Sequence, residues 1–412
     1  MTRFKVATRD TFRSLQHRNF RIFFITMGIS FTGTWIQLAA QTLLVYRLTG
    51  SGTALGLLTA IQFVPTLVLG AWAGVVVDRY DKRRIMTIAS TVMAITATVL
   101  ATLVVTDRVT LGAVYVLAAC FGLANTFDNP ARRTLVNDLV PPDEVVNAVA
   151  LNSTLITTAR IVGPAIAGGL IVTVGIGWCF ALNAMSFVPV ILGLRRMDSS
   201  TFRSVRVARA KGQLREGFRY AMSVDDLRVP LALMAVVGTL SFNFVVLLPL
   251  LVERDLGGSD VSYTVLTSFF GVGSLIGSLR MARREVIDLR FLGESALLLG
   301  VASAALAFAP GIGVAAAVLV VAGYAGIGIL SGGNAVLQVA TSAEMRGRVL
   351  ALYTVVFLGS TPIGGPIAGW TAEHFGTDAG ILLGAVAALA AGAAVLGFVR
   401  REVRLPAPAG LS

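Results

Sequence analysis

Twelve long apolar runs fill nearly the whole chain, and they decide what solvent it can fold in. They fall at roughly 20–46, 53–77, 84–106, 111–136, 145–174, 176–195, 229–252, 260–282, 289–309, 311–338, 345–372 and 378–399 of the 412 residues. A helix of about 20 apolar residues crosses the hydrocarbon core of a bilayer. A backbone in lipid must bond to itself, which leaves helices and closed barrels. Barrel strands are about ten residues long and alternate apolar with polar; these runs are longer and do not alternate. Composition agrees, with 55% hydrophobic and 14% charged residues against about 25% charged in soluble domains. The expected fold class is an all-α membrane protein with twelve transmembrane helices.

The basic residues test this map. The net charge is +12, a balance that in a soluble chain points to nucleic acid. Here the basic residues sit between apolar runs, so no nucleic-acid partner is expected. With a cytoplasmic N-terminus, 30 of the 34 Lys and Arg fall in segments on the inner side, and only Arg47, Arg108 and Arg254 on the outer side. That is the inside-positive bias of membrane proteins, and a wrong odd number of spans would scramble it. Both termini are therefore expected in the cytoplasm of a bacterial cell, in a multi-pass inner-membrane protein. The start carries six basic residues before an apolar stretch too long for a cleaved leader. Cys120 and Cys179 both fall inside apolar runs, so neither a disulfide framework nor a metal spacing is implied.

The longest polar stretch, 196–228, carries Arg203, Arg206, Arg209, Lys211, Arg215 and Arg219 and divides the chain near its middle. The expected organisation is a six-helix half at 1–195, a cytoplasmic linker at 196–228 and a second six-helix half at 229–412. Leu214 to Met222 reads either as an amphipathic helix on anionic lipid or as flexible linker. The halves repeat. Glu144-Val145-Val146-Asn147-Ala148-Val149 is echoed by Glu344-Met345-Arg346-Gly347-Arg348-Val349, and Gly163-Pro164 by Gly365-Pro366. Internal repeats build many transporters, with substrate bound near the midplane.

The connection between spans two and three reads Gly74-Val75-Val76-Val77-Asp78-Arg79-Tyr80-Asp81-Lys82-Arg83-Arg84. Here the chain resembles the major facilitator superfamily, which carries Gly-x-x-x-Asp-Arg-x-Gly-Arg-Arg in this connection. Gly74, Asp78, Arg79, Lys82 and Arg83 match, and Asp81 stands where the family usually has Gly. The resemblance implies two pseudo-symmetric six-helix bundles and a conformational role for these five residues. Physically, Gly74 permits close helix approach. Asp78 at a helix end can face the N-terminal dipole of another helix or pair with Arg; the start of span eleven, near Ser342, is the expected partner. The alternative is that the arginines are inside-positive anchors.

Span five holds Arg160-Ile161-Val162-Gly163-Pro164-Ala165-Ile166-Ala167-Gly168-Gly169. This resembles the antiporter motif of exporter branches, roughly Gly-x-x-x-Gly-Pro-x-x-Gly-Gly, with Gly163, Pro164, Gly168 and Gly169 as counterparts and Ala159 for the first Gly. Ordinary small-residue packing is the alternative. Arg160 lies deep in the span and needs a partner or water. Asp128 in span four, with Asn125 one turn away, is the expected partner, across a register mismatch of about 7–8 Å. The pair reads either as a proton-sensitive element lining a cavity or as a static structural contact. Gln37 and Gln41 on one face of span one, and Asn243 in span seven, read as cavity lining or as hydrogen-bonding glue between helices.

No Ser/His/Asp or metal cluster can be assembled from the two histidines, so no enzyme activity, cofactor or metal is expected. The whole resembles the enterobactin-exporter and macrolide-efflux-like branch of the superfamily. That implies a monomeric secondary transporter exporting an amphipathic small molecule, a drug or a siderophore, by proton antiport, with lipid, protons and substrate as its partners. Import of a nutrient and a non-transporting receptor are the rival readings.

Overall fold

A computed structural model of the chain describes residues 12–198, 213–284, 287–342 and 344–404. Among them, twelve helices are long and apolar enough to cross a membrane. Spans one to six are Arg18–Thr49, Gly52–Arg79, Lys82–Val105, Leu111–Asp138, Val145–Thr173 and Ile176–Arg196. Spans eight to twelve are Asp260–Met281, Leu289–Ala307, Ile312–Ala340, Arg346–Phe375 and Thr377–Arg404. Spans one, two and twelve run a few residues past their apolar runs, whereas spans five, eight and nine stop one or two residues short, because a helix continues until a cap satisfies its terminal amides and carbonyls. Thr110 accepts from the Ala113 amide at 3.3 Å to start span four, and Asp288 from Phe291 at 2.9 Å to start span nine. Gly50, with φ of 61°, closes span one by donating to the Tyr46 carbonyl at 2.6 Å. Large apolar side chains such as Val68, Ile88, Val116 and Val188 stay exposed, as lipid rather than water allows.

Span seven differs from the continuous run read in the sequence. It comprises Asp225–Leu240 and Phe244–Leu250, followed by a wider turn at Leu251–Asp255. The break falls on Ser241, Phe242 and Asn243. Asn and Ser side chains compete with the backbone for its own partners. Asn243 Nδ2 donates to the Thr239 carbonyl at 2.7 Å, and Ser241 Oγ reaches across to the Gly384 carbonyl of span twelve at 2.7 Å. Asn243 thus meets one carbonyl of the interrupted ladder, the kind of compensation irregular backbone needs at this depth, and Ser241 ties the break to span twelve.

The linker residues Arg203, Arg206, Arg209 and Lys211 lie outside the described residues. Gln213–Ser223 is a helix, and it packs on the start of span eleven. Its Glu216 pairs with Arg348 at 2.8 Å, and its Ala221 is buried.

By contact, the chain divides into two units, Met1–Gly50 with Ile61–Ala208 and Ser51–Ala60 with Arg209–Ser412. In the first, span one packs on five and six, and span three on four and six. In the second, span seven packs on eleven and twelve, and span nine on ten and twelve. The same pairing recurs six spans later, so the repeat in spelling is a repeat in packing.

Its tightest points are glycines. A Cβ on Gly122 of span four would collide with the Gln62 carbonyl of span two, and a Cβ on Gly323 of span ten with the Phe270 carbonyl of span eight. Gly273 of span eight has no room either, because a Cβ there would strike the Val320 carbonyl. Small residues at such crossings let backbones approach closely, which is what holds helices together when lipid supplies no hydrophobic drive. Gly273→Val is therefore expected to lower the thermal stability of the detergent-solubilised protein by at least the ~1–3 kcal/mol typical of overpacking. Gly397→Val, where nothing lies within 4 Å of an added Cβ, is expected to leave the melting curve nearly unchanged.

Candidate functional site

Two constellations in the first unit gather the residues singled out in the sequence. The first is at its basic end. Span three begins at Lys82, and Asp81 is its N-cap: Oδ1 accepts from the Arg83 amide at 2.8 Å and the Arg84 amide at 3.3 Å. The departure from the family's Gly thus has a structural use, since a carboxylate is among the best N-caps and also faces the positive helix end. Lys82 forms an ion pair with Asp138 at the end of span four. Arg83 donates to the Met197 carbonyl beyond span six at 3.0 Å. Asn19 of span one exchanges two bonds with the Asp198 backbone, at 2.9 and 3.2 Å. Lys82 and Arg83 are therefore cross-links between helix ends as well as basic anchors. Asp78 and Arg79 lie exposed on the last turn of span two, and Gly74 is half-buried one turn before them.

The second constellation lies in spans one, four and five, and here the expected pairing is corrected. Asp128 is buried, but its partner is Arg132 on its own helix, with Nη1 to Oδ2 at 2.8 Å. The Arg132 guanidinium also bonds Asn129 and lies over the Phe31 ring, 4.6 Å from its centroid. An i,i+4 neighbour reaches a carboxylate with no register mismatch, whereas Arg160 would have had to span one. The Asp128–Arg132 spacing was visible in the sequence and is the signal that finds this pair. Asn125 is half-buried one turn earlier.

Arg160 is the sixteenth residue of a 29-residue helix, and so lies close to its middle. Its guanidinium sits over the Trp35 ring of span one, 5.1 Å from the centroid, and its enclosed Nε has no hydrogen-bond partner. A cation over Trp is worth about 0.5–2 kcal/mol, less than the roughly 2.5–3.5 kcal/mol that an Arg costs at the centre of a spanning helix. Gly163, one turn on, sets this contact, because a Cβ there would collide with the Trp35 side chain. In the second unit Gly364 plays the same part, pressed against the Thr239 carbonyl of span seven. Pro164 and Gly168 are buried within the continuous span-five helix, while Gly169 has nothing within 4 Å of an added Cβ.

The remaining polar candidates divide. Gln37 is buried, and its Oε1 accepts from Asn183 Nδ2 of span six at 2.7 Å. The same Asn183 accepts from Ser186 Oγ at 3.0 Å. This is the helix-gluing arrangement. Gln41 is buried one turn further along span one. Asn243 sits at the break in span seven. Among the described residues, no three His, Cys, Asp or Glu converge as a metal site.

The family model described as "Transmembrane secretion effector" matches residues 9–407. The chain is 23% identical over 269 residues to a staphyloferrin A transporter of Staphylococcus aureus (strain NCTC 8325 / PS 47), a match covering 63% of this chain and 66% of that one. It is 26% identical to macrolide efflux protein A of Streptococcus pyogenes, over 56% of this chain and 58% of that one. It therefore spans less than two thirds of the length of either relative. A multidrug efflux pump, Tap, of Mycobacterium bovis (strain BCG / Pasteur 1173P2) is 26% identical over 94% of this chain and 93% of its own. The fold matches a bacterial homologue of the human lysosomal transporter Spinster, with a TM-score of 0.74 at 15% identity over 95% and 98% of the two chains. It also matches a D-xylose-proton symporter, with a TM-score of 0.71 at 15% identity over 92% and 98%.

The cap at Asp81 gives a direct check. Asp81→Ala is expected to destabilise the protein by about 0.5–2 kcal/mol, the usual worth of an N-cap, and Asp81→Asn by much less. Melting curves of the purified variants measure both.

Proposed function

Because this multi-pass membrane protein belongs to the transmembrane secretion effector family of the major facilitator superfamily, we propose that it is a proton-coupled exporter of amphipathic small molecules working by alternating access. The family and the efflux proteins it resembles support transport as the activity. The observation that carries the coupling is the buried Asp128–Arg132 pair. A carboxylate held by one guanidinium beside an aromatic ring changes its whole environment when it takes a proton. The attraction is lost, and Arg132 is left to find another anion or water. A proton arriving at Asp128 and substrate leaving would then be linked through Arg132, which stands four residues along the same helix.

In this reading Asp78 and Arg79 belong to the element that changes between access states, and Lys82 and Arg83 fix its base through Asp138 and the Met197 carbonyl. Both termini and the 196–228 linker lie in the cytoplasm of a bacterial cell, and the working unit is a monomer. The Arg-rich joints support that orientation through the inside-positive bias.

Everted vesicles test the coupling. Acidifying the lumen is expected to drive accumulation of an amphipathic dye by the wild-type protein, and an uncoupler to abolish it. Asp128→Asn is expected to keep dye binding while losing dependence on the proton gradient. Unchanged proton dependence in Asp128→Asn removes Asp128 from the coupling, and dye gain rather than loss by energised intact cells points to import. Reporter fusions in the 196–228 linker are expected to score as cytoplasmic; an external score overturns the orientation.

A further inference from the structure

Arg160 has no assignment in the proposed mechanism, and its surroundings are unusual. It lies near the middle of span five, which runs from Val145 to Thr173. Three basic side chains at the helix ends of the same unit have acidic or carbonyl partners. Lys82 has Asp138, Arg83 the Met197 carbonyl, and Arg13 the Asp143 carbonyl. Arg132, six residues from the end of span four, has Asp128. Arg160 forms no ion pair or hydrogen bond with any described residue, and its one contact of note is the Trp35 ring. Only Nε is enclosed without a partner, so the terminal nitrogens keep access to open space, and the residue as a whole is half-buried.

A guanidinium offers two parallel N–H donors matched to a carboxylate. The Trp35 ring lies on one side of the guanidinium, and Gly163 lets the Trp35 Cβ and the backbone of span one come close to span five, which brings the indole beside the fork. An unpaired cation at this depth is retained at a standing energetic cost unless an anion visits it. No described residue supplies one, and water or a mobile ligand remains.

We infer that Arg160 is the docking point for a carboxylate carried by the transported molecule, with Trp35 as the wall that orients it. The substrates are therefore amphipathic anions rather than cations or neutral molecules. This rests on the exporter reading above and narrows its substrate class. Trp35 covers one face of the guanidinium, so the carboxylate approaches along the open edge in the guanidinium plane, and the apolar remainder of the substrate lies beside the indole.

The chain has four tryptophans, Trp35, Trp72, Trp178 and Trp370, so replacing the last three with Phe leaves Trp35 as a reporter in the purified full-length protein. The probes are two matched pairs, dansylglycine with dansylglycinamide and 1-naphthylacetate with 1-naphthylacetamide, each read by quenching of Trp35. Each carboxylate is expected to bind roughly tenfold or more tighter than its amide, the range of a charge-assisted hydrogen bond. Arg160→Gln is expected to abolish that preference, and Arg160→Lys to keep part of it. Arg160→Gln removes an uncompensated charge from mid-span, so its melting temperature is expected to be no lower than wild type, and the carboxylate-induced rise in melting temperature is expected to disappear with it.

Equal affinity for acid and amide, no binding of either acid, or a preference that survives Arg160→Gln overturns the inference. Everted vesicles given the same probes separate this from failure of the exporter reading. A preference that depends on Arg160 with no energy-dependent accumulation keeps the anion site and discards export. Accumulation of acid and amide alike keeps export and discards the anion site.

Discussion

Lipid offers a backbone no hydrogen-bond partner, and almost every feature of this protein follows from that deprivation. Helices are compulsory, and since lipid is as apolar as any side chain, greasy surface alone does not hold them together. What remains is close packing, and the structure obtains it where one helix has no side chain to keep the next at a distance. Gly122 against the Gln62 carbonyl and Gly323 against the Phe270 carbonyl are one crossing made twice. Gly163 against span one and Gly364 against span seven are another. The polar interactions occupy what these contacts leave, chiefly the helix ends and a few buried stations such as Gln37 with Asn183.

The same scarcity governs charge. At the basic end of the first unit, side chains have water and one another, so Lys82, Arg83 and Asn19 act as ties among four helix ends. Deeper in, a charge persists only with a partner or a purpose. Asp128 and Arg132 neutralise each other across one helical turn. Arg160 has a ring but no counter-charge among the described residues, and Gly163 lets span one approach span five there. The conspicuous small residues of span five thus serve an ionic arrangement as well as a packing one.

The spans were legible in the sequence because their length is set by the membrane and not by the fold, and the arginine distribution gave an independent check. The break at Ser241, Phe242 and Asn243 was not legible, because three residues do not interrupt an apolar run and the bonds that stabilise the break come from Thr239 and from span twelve. The depth of Arg160 was readable; its partner was not, since partner assignment across helices depends on register and rotation that counting cannot supply. Arg132 is the contrary case, because four-residue spacing to Asp128 needs no tertiary knowledge. Asp81 looked like a blemish in a family pattern and is a helix cap. A residue that breaks a motif's spelling can satisfy the same physical demand by another route.

Span one is a single rod of 32 residues, and span seven, its counterpart in the repeat, is articulated at residues 241–243. Mechanically, a rod transmits torque along its length and a jointed strut does not. A twist applied to one end of span seven dissipates at the joint, where it costs a few side-chain bonds to adjust rather than a run of ladder bonds. Spans one and seven, counterparts in the repeat, therefore differ in stiffness, and the compliance of span seven is concentrated at a point that Asn243 and Ser241 hold with two hydrogen bonds.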